Sequence, residues 1–353
     1  MKLLAINPGS TSTKIGIYED ERLLVEHVLR HPSGDLQDFE QITDQYDFRK
    51  DIIINTLVKE GFQVEDFDAI VGRGGLVKPI VGGTYLVNKR LLEDLRIGVQ
   101  GQHASNLGGL IADEIAKQIG KPAFIVDPVV VDELKDIARI SGHPLLPRRS
   151  IFHALNQKAT AHKYAKDIGK KYEELNLIVA HMGGGISVGI HENGYVIDTN
   201  NALDGDGPFS PQRSGGLPTG TLVSLCFSET HTLTEIKSML VGKGGLVAYT
   251  GMDDIQELEK RGKTEPDIQL LIDALIYQVA KEIAAMAVAV NGRVDAILLT
   301  GGIAYSDYIT TEITKRISFV GEVKRYPGEN ELEALAMGAL RVLRGEEEAK
   351  IYN

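Results

Sequence analysis

A single cysteine, Cys226, stands in 353 residues, so no intrachain disulfide can form and a reducing compartment is expected. The nine histidines show no HxxxH, HExxH or His/Cys spacing, which argues against a zinc site. Long apolar runs are missing too. The longest, Ile268 to Val290, is interrupted by Asp273, Gln278, Lys281 and Glu282, so it reads as a buried helix rather than a membrane span. The apolar run before Asn7-Pro8 is only four residues, too short for the core of a signal peptide, and a cytoplasmic protein is the expectation. Positive charge is in deficit, with 38 Lys and Arg against 49 Asp and Glu. The net charge of −11 argues against nucleic-acid binding and leaves any anionic ligand to local Arg, Lys and backbone dipoles. Low-complexity sequence is absent apart from Glu346-Glu347-Glu348. A Walker A loop is absent as well. That motif needs Gly-Lys-Ser or Gly-Lys-Thr opening a helix, whereas Lys14 opens an alternating strand and Gly242-Lys243-Gly244-Gly245 fails the template.

What is present is a plan written twice. Leu3-Leu4-Ala5-Ile6 leads into Asn7-Pro8-Gly9-Ser10-Thr11-Ser12-Thr13-Lys14, then Ile15-Gly16-Ile17-Tyr18 and the turn Glu19-Asp20-Glu21. Leu177-Ile178-Val179-Ala180 leads into His181-Met182-Gly183-Gly184-Gly185, then Ile186-Ser187-Val188-Gly189-Ile190 and the turn His191-Glu192-Asn193-Gly194. Gly16 and Gly189 align 173 residues apart, about half the chain. Each copy reads as strand, small-residue loop, strand, tight turn, strand. A Gly/Ser loop between strands lets backbone N–H groups approach an anion. Two such loops, one per half, suggest a polyphosphate gripped between two related domains.

The rest of the chain alternates strands and helices. Helical pattern covers Asp51 to Leu57, and again Leu107, Leu110, Ile111, Ile115 and Ile119, ending at Gly120. Short apolar strands are expected at Asp68 to Val71, Ala123 to Val126 and Asp295 to Thr300. Pro144, Pro147 and Arg148-Arg149 mark the expected crossover, followed by a helix from about Ile151 to Lys166. The length calls for two domains, placed at 1–147 and 148–332, with a returning helix over 333–353 completing the first. This alternation implies α/β domains, and the duplicated opening resembles the actin, hexokinase and acetate kinase superfamily, whose ribonuclease H-like domains flank a central nucleotide cleft.

Several residues could carry chemistry. Asp127 ends a buried strand, where α/β sheets place ligands, although Asp before Pro128 also suits a plain turn. Arg73 and Arg213 are each flanked by glycines, which leaves room for a carboxylate or phosphate to lie on the guanidinium fork. Gly74 and Gly75 after Arg73 are expected to enlarge a pocket beside it, the alternative being that they serve only a tight turn. His181 opens the second loop, where it could donate to a transition state.

Taken together the motifs resemble the acetokinase family. Asn7 to Lys14 is similar to its first signature, and His181 to Ser187 to its second. Val71 to Pro79, Val126 to Asp132 and Ser150 to Lys158 resemble the butyrate and branched-chain branch rather than the acetate branch. The resemblance implies an ATP-dependent, reversible kinase making an acyl phosphate from a short-chain carboxylic acid in a homo-oligomer. It implies that Arg73 and Arg213 bind the carboxylate and the transferring phosphoryl group, that His181 hydrogen-bonds that group, and that Asp127 orients substrate or the magnesium shell. It assigns Asn7 and a late carboxylate, Glu331 or Glu329, to Mg²⁺. Ser10, Ser12, Lys14, Gly183, Gly184, Gly185, Asp254, Gly301 and Gly302 would surround ATP/ADP. Gln256 departs from the arginine expected two residues after Asp254. A sugar kinase, which needs a carboxylate base for a hydroxyl, and a nucleotide-gated binding protein are the rival readings.

Overall fold

The computed structural model describes residues 1–36, 39 and 41–353. Two compact units divide the chain, Met1–Val131 with Asn330–Asn353 and Asp132–Glu329. The division falls after Val131, so residues 132–147, with Pro144 and Pro147, lie in the second unit.

The first unit is built on a seven-stranded sheet. Its strands are β1 (Lys2–Pro8), β2 (Ser12–Glu19), β3 (Arg22–Arg30), β4 (Ala69–Arg73), β5 (Thr84–Leu86), β6 (Ala123–Val126) and β12 (Lys350–Ile351), ordered β12-β5-β6-β4-β1-β2-β3. β1, β2 and β3 form an antiparallel meander, while β4 joins β1 in parallel and β6 joins β4 in parallel. Leu3 to Ile6 and Ala69 to Val71 are buried at every position, as continuous apolar strands covered on both faces should be. The helix Asn106–Gln118 crosses β4 very closely. A Cβ built on Gly72 would lie 2.1 Å from the Gly108 carbonyl oxygen, so both glycines are needed for the backbones to touch. The helix Glu331–Leu343 buries Leu332, Leu335, Ala336, Ala339 and Leu340 in this unit.

The second unit repeats the order. β7 (Leu177–Met182), β8 (Ile186–Glu192) and β9 (Tyr195–Thr199) form the meander, β10 (Ala296–Gly301) joins β7 in parallel and β11 (Glu322–Pro327) joins β10 in parallel, giving β11-β10-β7-β8-β9. The helix Pro266–Met286 starts on proline at its first turn and buries Ile272, Leu275, Ile276, Val279 and Ile283 against this sheet's apolar face. No helix among the described residues is long and apolar enough to cross a membrane.

Candidate active site

In the first unit, sheet register collects the chemistry. Ile6 of β1 pairs with Gly72 of β4, and Arg73 pairs with Val126 of β6. Asn7, Arg73 and Asp127 therefore stand in a row at the carboxyl ends of three neighbouring parallel strands, where open α/β sheets bind ligands. The first turn of the helix Glu331–Leu343 adds Glu331. Arg73 Nη1 donates to Glu331 Oε1 at 2.5 Å and to Asn7 Oδ1 at 3.2 Å, and Asn7 Nδ2 donates to Glu331 Oε2 at 2.5 Å. Arg73 is one-third exposed, so one end of the guanidinium is tied down and the rest remains available. Burial first, and then the charge of the nearby Arg73 guanidinium, hold the His103 imidazole below the usual histidine range.

Asp127 is buried and sits in the left-handed region at φ 37°, with Oδ1 accepting from the Gly83 amide at 2.7 Å. That backbone is unusual for a residue other than glycine and marks a constrained corner. Ser10 is exposed in the loop after β1, Ser12 is half-buried at the start of β2, and Lys14 points outward from β2. The Cβ positions of Gly74 and Gly75 face inward. A methyl on Gly74 would meet Pro128 Cβ at 2.7 Å, and one on Gly75 would meet Asn106 Oδ1 at 2.3 Å and Leu95 Cδ2 at 2.8 Å. This corrects the expectation that these glycines enlarge a pocket: they let the loop after Arg73 lie flat on its own unit.

In the second unit, the loop after β7 carries a cover of side chains. A Cβ on Gly185 would fall 2.0 Å from Arg213 Nη1, and one on Gly183 would fall 2.7 Å from Glu329 Oε1. Arg213 is fixed by Nη1 donating to the Ala202 carbonyl at 2.7 Å, and burial pushes its guanidinium below the usual arginine range. The Gly184 carbonyl accepts from Ser210 Oγ at 2.7 Å and from the Gln212 amide at 3.1 Å, which pins the loop to the segment bearing Arg213.

His181 is buried at the end of β7, with Nδ1 2.8 Å from Asn156 Oδ1 and Nε2 3.3 Å from Glu329 Oε1. Asn156 Nδ2 faces the Gly328 carbonyl, so Oδ1 is the acceptor and His181 Nδ1 carries the proton. His153 stacks on His181 with ring centroids 3.9 Å apart. Thus Glu331 lies with Asn7, while Glu329 lies with His181 in the other unit. Gly301, at φ 87°, presses against the Met182 backbone, and Gly302 beside it faces open space. Asp254 is exposed and caps the helix Ile255–Gly262 through the Glu257 amide at 3.1 Å. Among the described residues no hydrogen bond joins it to the His181 cluster; its neighbour Asp253 instead accepts from Gln212 Nε2 at 2.6 Å.

Sequence reasoning missed His153, Asn156 and Arg49. The first two sit within the Ser150 to Lys158 motif, one helical turn apart, and that spacing could have placed them on one face. Arg49 carries no local signal, and it is fully buried.

As for a metal, the described residues contain no group of three or more His, Cys, Asp or Glu placed to share an ion. A protein-only cage is therefore not built. Asn7 and Glu331 do fit Mg²⁺, which takes one or two protein oxygens and completes its shell with water and phosphate.

Residues 134–334 match the model of the acetokinase family. The chain is 57% identical to butyrate kinase 1 of Clostridium acetobutylicum over 352 residues and 56% identical to butyrate kinase 2 of the same organism over 354, each match covering 99% of both chains. Among solved structures, acetate kinase from Porphyromonas gingivalis matches with a TM-score of 0.78 at 18% identity, covering 97% of this chain and 99% of that one.

Proposed function

The chain belongs to the acetokinase family, and from that premise we propose that it transfers the terminal phosphoryl group of ATP to butyrate or a branched short-chain acid, reversibly, giving an acyl phosphate and ADP. The observation that carries this reading is the full-length likeness to butyrate kinases.

The residues suit the chemistry. A short fatty acid has a pKa near that of a Glu side chain, ~4.3, so its carboxylate is already the nucleophile at neutral pH. No general base is needed, and Asp127 Oδ1 is committed to the Gly83 amide. The requirement is instead to hold anions in line and to stabilise charge on the phosphoryl group. In this reading Arg73 takes the carboxylate on its free edge while Glu331 and Asn7 hold the other. Arg213, braced by Ala202, offers a rigid fork to the phosphoryl oxygens, and His181 offers Nε2 because Asn156 holds Nδ1. Both imidazole nitrogens must carry protons for Nε2 to donate. Mg²⁺, held by Asn7 and Glu331, would neutralise charge on the nucleotide phosphates. Ser10, Ser12 and Lys14 in one unit, and Gly183 to Gly185, Gly301 and Gly302 in the other, are the proposed nucleotide contacts. Asp254 is proposed only as an outer contact, because its carboxylate already caps a helix. We place the enzyme in the cytoplasm as a homo-oligomer.

Hydroxamate trapping with acids of two to six carbons tests the reading. Butyrate, isobutyrate or isovalerate should give the highest kcat/KM. Each extra buried CH₂ is worth up to ~0.8 kcal/mol, so butyrate should lead acetate by roughly tenfold. Acetate or propionate as best substrate would overturn the acyl assignment, and no acyl-dependent ADP release would overturn the kinase.

A further inference from the structure

Beneath the loop between β1 and β2 lies Arg49, a fully buried guanidinium on the helix Tyr46–Lys59. Its Nη1 donates to the Gly9 carbonyl at 2.8 Å, to Thr13 Oγ1 at 3.1 Å and to the Ser12 carbonyl at 3.3 Å. Its Nη2 donates to the Ser10 carbonyl at 3.0 Å and to Gln45 Oε1 at 2.8 Å, and Nε donates to the same Gln45 oxygen at 3.1 Å. Every one of these acceptors is neutral. A buried cation is ordinarily paired with a carboxylate, and among the described residues Arg49 has none. Burial alone pushes it down to about 10, which still leaves it charged at neutral pH.

The loop's remaining groups follow from peptide geometry. In a trans peptide the carbonyl of one residue and the N–H of the next point to opposite sides. Arg49 draws the Gly9 and Ser10 carbonyls inward, so the amides of Ser10 and Thr11 are turned away from it. The Thr11 carbonyl accepts from the His31 amide at 2.8 Å, and the Ser12 carbonyl from the Gly9 amide at 2.7 Å. All four loop carbonyls are thus satisfied from within. The Ser10 and Thr11 amides have no acceptor among the described residues.

We propose that Arg49 is the positioning residue of a phosphate site: it turns the Ser10 and Thr11 amides toward a polyphosphate and supplies, from below, a cation whose counter-charge is that ligand. The ligand's identity as a nucleoside di- or triphosphate rests on the kinase reading above; the site itself does not.

Two kinds of variant separate geometry from charge. Arg49→Lys keeps the charge but cannot hold both carbonyls, while Arg49→Gln loses the charge. Gln45→Glu leaves Arg49 and its hydrogen bonds in place but sets a carboxylate against the guanidinium, neutralising it. Calorimetric titration with ADP and with inorganic tripolyphosphate should show about tenfold weaker binding in each variant, the size expected of one charge or donor set at short range in a half-solvated site. In turnover, KM for nucleotide should rise while KM for carboxylate and for acyl phosphate stays within about twofold, a split that loss of folding would not produce. Gln45→Glu should also raise Tm, so it decides the matter if the Arg49 variants fail to fold. Wild-type affinity for ADP in folded Gln45→Glu, an equal rise in every KM, or a rise confined to acyl phosphate would overturn the proposal. Wild type that binds tripolyphosphate in an Arg49-dependent way yet turns over no carboxylate would support this site while rejecting the kinase.

Discussion

At the scale of single residues, the two arginines differ in how they are held. Arg73 shares one nitrogen between Asn7 and Glu331, whereas Arg213 is braced by a carbonyl and lies on a glycine. Both keep a fork edge that a lysine ammonium cannot imitate. Arg73→Lys and Arg213→Lys should each lower kcat by on the order of 10²–10³, the usual cost of losing one preorganised donor. Near wild-type turnover in either variant would mean the fork is not used. His181 offers a subtler test. Asn156 accepts the Nδ1 proton and so orients the ring, and Asn156→Leu should lower kcat by about 10² with little change in KM, while His181→Ala should add little on top, since the pair acts as a unit. Fully additive losses would show that Asn156 acts independently of the imidazole.

At the scale of elements, the sites depend on close approaches between backbone and side chain. Gly185→Ala would place a methyl where the Arg213 guanidinium lies, so we expect a turnover loss comparable to Arg213→Ala without loss of Tm. Gly75→Val would drive into Asn106 and Leu95, and should lower stability by about 3 kcal/mol, measurable by calorimetry, rather than shift acyl preference. The same approaches separate what the sequence made legible from what it hid. The doubled meander and the helix Glu331–Leu343 were readable because apolar periodicity and turn residues are local signals. Arg73, Asn7 and His181 were readable because glycines or strand ends mark them. The inward-facing glycines, the burial of Arg49 and the stack of His153 on His181 arise from contacts 20 to 54 residues apart, which no local pattern carries. The chain enters the second unit at Asp132, and the prolines at 144 and 147 fall inside that unit.

At the scale of the molecule, acidity sets the pH at which the fold is strongest. Asp20, Glu235, Glu265 and Glu312 are surface carboxylates whose hydrogen-bonded or charged partners hold them below the usual range. Their contribution is present above the unfolded carboxylate range and is lost as pH falls through their folded values. Glu282, on the helix Pro266–Met286, runs the other way. Burial first, then Asp206 and Asp198, push it up to about 7, only partly offset by Arg148 and Lys281. Between about 4.5 and 7 the native state therefore binds more protons than the unfolded chain, and stability falls as pH rises through that window. The difference is worth at most about 3 kcal/mol, less what residual exposure screens. A net charge of −11 adds self-repulsion in the same direction. Tm should therefore peak near pH 5 to 6 and decline toward pH 8. In Glu282→Gln the carboxylate is gone while its shape remains, so the decline between pH 5 and 7.5 should flatten and Tm at pH 7.5 should exceed that of wild type. An unchanged slope in this variant would assign the decline to overall charge instead, and adding salt, which screens surface repulsion more than a buried carboxylate, would then flatten it in both proteins.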